Sequence, residues 1–206
     1  MPKKEIPLQT LGSFIPDGSL EDVIYFLNRY DVHLTITKER KTVLGDYRNK
    51  HSNLNHRISV NKNLNKYAFL ITLLHELAHL LAFEKYGHTI QPHGREWKNE
   101  FAFILDIFIK KQVFPNEIKK VLIQSLHNPA ASSCADTNLI RVLRNFDKDK
   151  NEVLLENISI GKKFTISGGR VFEKGEQVRK RFKCKEVDTG KVYLFSPVYM
   201  VKPLPE

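Results

Sequence analysis

Residues 67–83, YAFLITLLHELAHLLAF, are the longest apolar run in this 206-residue chain, and three polar side chains interrupt it. A helix this apolar on every side belongs in a core and not on a surface. His75, Glu76 and His79 in mid-span argue against a membrane-spanning segment. Burying these three groups so close together is costly unless each finds a partner. Asn61, Asn63 and Asn65 offer N-caps and Gly87 suits the C-terminus, which predicts a helix over about 64–86.

Residues four apart on a helix are rotated by about 40° and sit one turn apart. His75 and His79 therefore share a face and can both reach one ion through neutral ring nitrogens. Glu76 lies beside them, free to carry a proton. HExxH on a helix is a signature of zinc metalloproteases, with the histidines as ligands and the glutamate as base. A third ligand is needed. The longer pattern with Gly at 82 and His at 85 is absent, since Ala82 and Lys85 stand there. His88, His93 and Glu100 are the remaining candidates.

The segment PDGSLEDVIYFLNRYD offers Ser19 as N-cap and repeats Leu20, Val23, Ile24 and Leu27, predicting an amphipathic helix over about 20–30. VHLTITKERKTVLGDYR reads as a β-hairpin, 32–37 with 41–47, and HRISV at 56–60 as a third strand. After the loop GHTIQPHG, three more helices are expected in REWKNEFAFILDIFIKK, PNEIKKVLIQSLH and TNLIRVLRNF. Beyond DKDKN the texture changes to short β-like runs, VLLENI, KKFTI, GRVFEK, VRKRFKCKEV and KVYLFS. The expectation is an α+β domain over 1–148 and a small β-rich basic module over 149–206.

Only two cysteines occur, Cys134 and Cys184, and no CxxC pair, so a four-cysteine zinc ribbon is excluded. Reduced, unrelated thiols are expected. MPKKEIPLQT leads into no apolar h-region, so a secretory signal is not expected and a cytoplasmic location is.

HELAH followed by HGREW resembles the SprT-like family, which includes the Spartan proteases of DNA–protein crosslink repair. The family pattern is HExxH, a loop of about a dozen residues, then H-G-x-x-[FW]. His75, Glu76 and His79 match the first motif; His93, Gly94 and Trp97 match the second. HRISVNKNLNKYAFLITLLHELAH also resembles the family's strand-then-helix approach to its site. The resemblance covers roughly residues 18–125. It implies a zincin-like catalytic domain with a small three-stranded sheet packed on helices, and one Zn²⁺ held by His75, His79 and His93. Glu76 is then the catalytic general base, and strand 56–60 the edge that pairs with an extended peptide. Gly94 would let the backbone turn tightly out of the ligand, and Trp97 would pack on the metal helix. His88 then falls to a loop role or to supporting the ligands, and His33, His51, His56 and His127, which have no spacing relation to the motif, are expected to be surface or ordinary residues. The chain departs from many members in lacking the C-terminal ribbon.

Charge is uneven. Residues 38–66 carry 8 basic and 2 acidic side chains, net +6, and residues 161–206 carry 11 and 5, again net +6. The intervening stretch is neutral. Such blocks suit a polyanion such as nucleic acid, or equally a solubilising surface. Beside a Spartan-like domain the resemblance implies DNA as the partner, and no membrane is expected. In VRKRFKCK, Arg179, Lys180, Arg181 and Lys183 are the candidate phosphate contacts, with a basic stripe on one strand face and Val178 or Phe182 on the other. Tyr193 and Phe195 are expected in the core. The function expected is a zinc metallopeptidase acting on DNA-associated or DNA-crosslinked protein. Two alternatives stand beside it: a non-catalytic metal-containing adaptor for DNA or transcription, and a peptidase with no nucleic-acid role. Glu76 favours an enzyme, because a structural site needs no base there.

Overall fold

A computed structural model describes residues 8–40, 43–51, 54–126, 136–148 and 151–205. The chain divides into two compact units, Met1–Phe146 and Asp147–Glu206. Cys134 and His127 lie outside the described residues.

In the first unit, helix α1 (Leu20–Arg29) precedes strands β1 (Val32–Thr37), β2 (Gly45–Arg48) and β3 (His56–Asn61). Helices α2 (Lys66–Tyr86), α3 (Arg95–Lys110), α4 (Asn116–Ser125) and α5 (Thr137–Arg144) follow. The expected hairpin does not form. β1 pairs parallel with β3 and β2 pairs antiparallel with it, so β3 is the central strand and β2 an edge. The reason lies at Asn61, a buried amide at the end of β3. Its Nδ2 donates to the carbonyls of Arg40 (3.1 Å) and Val43 (2.9 Å), and its Oδ1 accepts from Arg40 Nε (2.9 Å). The connection from β1 to β2 is thus clamped around the tip of β3, where a tight turn would otherwise join β1 to β2. Residues 56–60 are consequently not an edge; β1 and β2 are the edges of this sheet.

α2 starts at Asn65, whose side-chain oxygen accepts from the backbone N–H of Tyr67 (3.1 Å) and Ala68 (2.9 Å). It ends at Gly87, held at φ 72°, a left-handed conformation that a Cβ disfavours. By length and composition α2 could cross a membrane, yet 72% of its apolar window is buried in the fold. β2 and β3 lie against one side of it and α3 against another. Ile58, Val60, Phe69, Leu73, Leu77, Trp97, Ile104 and Phe108 are among the buried core of this unit. Each fully buried Leu, Ile or Phe there contributes about 1.5–3 kcal/mol of transfer free energy.

The second unit is a six-stranded sheet of order β4-β9-β5-β6-β7-β8. Its strands are β4 (Val153–Leu154), β5 (Lys163–Thr165), β6 (Val171–Val178), β7 (Arg181–Glu186), β8 (Val192–Phe195) and β9 (Met200–Pro203). Leu155, Ile158, Phe164, Phe172, Phe182, Cys184, Phe195 and Val201 form its core, with Cys184 a buried free thiol. VRKRFKCKEV is not one strand. Arg179, at φ 54°, and Lys180 form the turn between β6 and β7. A buried lysine, Lys174, donates from Nζ to the carbonyls of Glu156 and Ile158 and lies 3.9 Å from the Phe182 ring centroid. An ammonium group and aromatic packing therefore tie this unit together where a ribbon would use metal.

Asn65 also donates from Nδ2 to the Leu143 carbonyl at the end of α5 (3.0 Å). Asn65→Ala removes both the cap and this tie, and should lower unfolding free energy by about 1–2 kcal/mol in urea denaturation.

Candidate metal centre

His75 and His79 project from one face of α2, and His93 arrives from the loop before α3. Their Nε2 atoms form a triangle with sides of 3.3 Å (His75–His79), 3.0 Å (His79–His93) and 3.2 Å (His93–His75). A neutral ring nitrogen is either donor or acceptor, so at least one side of any such triangle joins two like atoms. Three mutual hydrogen bonds are therefore impossible, whereas a cation accepts all three lone pairs. A tetrahedral ion about 2.0–2.1 Å from each nitrogen spaces them about 3.3–3.4 Å apart. The three histidines are placed to bind one metal ion.

Burial keeps them in the ligand-competent neutral form. It depresses His75 to about 3 and His79 to about 4, with the neighbouring imidazoles adding to the effect, and it also lowers His93. His93 has φ 59°, so the tight turn falls on the ligand itself. Gly94 does not make that turn; its backbone is extended and caps α3. Space is its requirement, since a Cβ there would stand 3.0 Å from the Gln91 carbonyl oxygen. Trp97 is fully buried, with its ring centroid 4.7 Å from His75, 5.3 Å from His79 and 4.7 Å from His93. It forms the floor on which all three imidazoles rest.

Glu76 is 7% exposed and sits against β2. A Cβ on Gly45 would lie 2.7 Å from Glu76 Oε1 and 2.8 Å from Thr72 Cγ2. Gly45 therefore makes the space for this carboxyl. Burial, reinforced by the negative charge of Asp46, pushes Glu76 up to about 8, and Arg40 opposes the shift. A nearby divalent cation favours the carboxylate again. Such a group is suited to taking and returning a proton near neutral pH.

The other candidates are occupied elsewhere. Glu100 Oε1 accepts from Lys85 Nζ (2.8 Å) and Tyr86 Oη (3.4 Å). His88 is exposed, its ring edge-on to Phe83 at 4.7 Å. His33 and His51 are exposed as expected. His56 is not an ordinary surface residue: it is buried on β3 and bonded to Tyr47. Neither Gly45, Tyr47 nor His56 stands at a spacing related to HExxH; only the strand pairing brings them near α2.

In the second unit Arg181, Lys183 and Lys185 alternate with buried Phe182, Cys184 and Glu186 along β7. The three cations thus share the outward face, while Arg179 and Lys180 occupy the turn. Across the strands Lys163 faces Glu173, and Glu173 faces Lys185. Val178 is exposed, whereas Phe195 is buried and Tyr193 half-buried.

The model of the SprT-like family matches residues 20–119. No curated protein and no solved structure matches the chain.

Zinc titration of the metal-free protein should saturate at one equivalent. His93→Ala should weaken uptake by about 100-fold or more, with far-UV circular dichroism unchanged.

Proposed function

The chain carries a SprT-like domain at residues 20–119, in the α+β, zincin-like arrangement described above, and on that premise we propose that it is a zinc metallopeptidase acting on DNA-associated proteins. The observation that carries the reading is the buried carboxyl of Glu76 beside three converging imidazole nitrogens. A purely structural metal site has no use for a carboxyl held ready to exchange a proton. His75, His79 and His93 would hold the ion, and nitrogen-only donors in a tetrahedral disposition suit zinc. When bound, zinc supplies Lewis acidity toward the scissile carbonyl and acidifies water.

The chain's own groups do the rest. Glu76 accepts a proton from the attacking water and delivers it to the leaving amine. β2 has β3 on one side, and among the described residues no strand on the other. An extended substrate adds there as a further strand, so backbone hydrogen bonds hold it across Glu76 with little demand on its sequence. The absence of a side chain at Gly45 keeps Glu76 against that strand.

DNA recruitment is assigned to the second unit. In the basic block at 38–66, Arg40 is engaged by Asn61, Arg48 by Asp46, and Lys50 by Glu84. Arg181, Lys183 and Lys185 instead share the outward face of β7, with Glu173 across from Lys185 alone, a row of cations suited to phosphates. Arg179 and Lys180 extend that row at the turn. The buried reduced thiol of Cys184 suits a cytoplasmic setting.

Glu76→Gln should retain zinc but lower cleavage of a DNA-binding protein by at least 1,000-fold; cleavage at the wild-type rate would remove Glu76 from the mechanism. Gly45→Ala should also retain zinc while slowing cleavage by about tenfold or more, measured by gel-based proteolysis. Replacing Arg181, Lys183 and Lys185 together with Gln should weaken DNA binding. It should also flatten the salt dependence of log K by about 0.9 per lost phosphate contact. An unaltered slope would exclude this face.

A further inference from the structure

Glu84 lies five residues beyond His79 on α2, and a chain of polar contacts through His56 to Tyr47, completed by a parallel ring contact, leads from it back to His79. Its Oε1 accepts from Lys50 Nζ at 2.8 Å and faces His56 Nε2 at 3.3 Å, a long contact compared with an ordinary hydrogen bond. The His56 side chain is only 3% exposed. Its Nδ1 lies 3.3 Å from the backbone N of Lys50 and 2.9 Å from Tyr47 Oη. These neighbours assign the tautomer. A backbone N–H can only donate, so Nδ1 carries the lone pair and Nε2 the hydrogen. The Tyr47 hydroxyl must then donate to Nδ1, while His56 Nε2, which makes no aligned hydrogen bond, stands 3.3 Å from the Glu84 carboxylate as a charge–dipole contact.

The orientation of Tyr47 is thereby set, and its ring lies nearly parallel to that of His79, at an interplanar angle of 4° and a centroid distance of 6.4 Å. The His56 ring stacks on Tyr47 from its own side at 5.8 Å and 20°, and Phe83 abuts His56 edge-on at 5.8 Å. The contacts close a circuit from α2 through β3 and β2 and back to α2. Hydrogen bonds along β2–β3 hold the strands to each other; against the helix, Glu84, His56 and Tyr47 add a polar tie to the apolar packing of Ile58 and Val60.

We propose that Glu84, His56 and Tyr47 form a polar strut that locks edge strand β2 onto the metal helix and fixes the ring of His79 for cation capture. They are positioning residues, acting through His79 and through the strand that carries Gly45. The proposal rests on the metal reading above and adds three residues to it that HExxH does not contain.

Tyr47→Phe is a clean probe. It keeps the ring, and His56 Nδ1 still accepts from the Lys50 N–H, so no buried acceptor is stranded. Zinc affinity of the full chain is measured by competition with a chromogenic chelator, alongside the visible spectrum of the cobalt-substituted protein and thermal unfolding of the metal-free protein. Tyr47→Phe should weaken zinc binding by about tenfold and shift the cobalt bands, with a loss of metal-free stability clearly smaller than the loss of zinc affinity. Glu84→Gln retains an acceptor for His56 and should stay near wild type, whereas Glu84→Leu should match Tyr47→Phe. Wild-type affinity and an unchanged cobalt spectrum in Tyr47→Phe would overturn the strut while leaving the metal site standing. So would a loss of affinity matched by an equal loss of metal-free stability, which marks a merely structural role. A wild-type protein that takes up no zinc would overturn the metal reading itself, and the strut with it.

Discussion

The helix that carries HELAH is enclosed on nearly every side, and this enclosure governs the rest of the first unit. A buried helix offers its polar side chains no water, so each polar group on it must find a partner on another element. His75 and His79 meet His93, brought in by the loop before α3. Glu76 meets the bare backbone of Gly45, and Thr72 donates to the carbonyl of Ala68 one turn back (2.8 Å). The small sheet and α3 are positioned as much by these polar demands as by the apolar packing around Trp97 and Phe108. A site assembled in this way is rigid, because moving any member exposes a polar group to an apolar surface.

That rigidity has a division of labour. On the proposed function, α2 contributes the elements that must keep a fixed mutual geometry: His75, His79 and Glu76, spaced by helical periodicity alone. The loop contributes the third ligand, where adjustment of a few dihedrals can tune the triangle. β2 contributes an open edge, whose backbone groups are chemically uniform along the strand. The proposed function thus places fixed chemistry on the helix and permissive recognition on the sheet.

Local patterns made much of this visible before any coordinates. The limits of α2, its caps at Asn65 and Gly87, and the shared face of His75 and His79 all follow from spacing within twenty residues. His93 was one of three candidate ligands, and only the resemblance of the paired motifs singled it out together with Trp97. Strand order was not legible, because a six-residue strand has no local mark that distinguishes centre from edge. The deciding residue, Asn61, looks like one of three interchangeable caps. The turn at Arg179–Lys180 was hidden for a related reason: it lacks the Asn-Gly or Asp-Gly pair that advertises a two-residue hairpin loop. His56 escaped because its significance comes from strand register. Tyr47 faces Ile58 in the ladder, and His56 lies two residues away on β3.

The left-handed backbone of His93 has an energetic consequence. A non-glycine residue in that region stores about 1–2 kcal/mol of conformational strain. That strain is borne by the fold, through the packing of His93 on Trp97 and the close approach of Gly94 to Gln91, so the ring is already turned toward His75 and His79. The loop commits folding energy in advance to the shape of the triangle, and a ligand entering it has that much less reorganisation to impose.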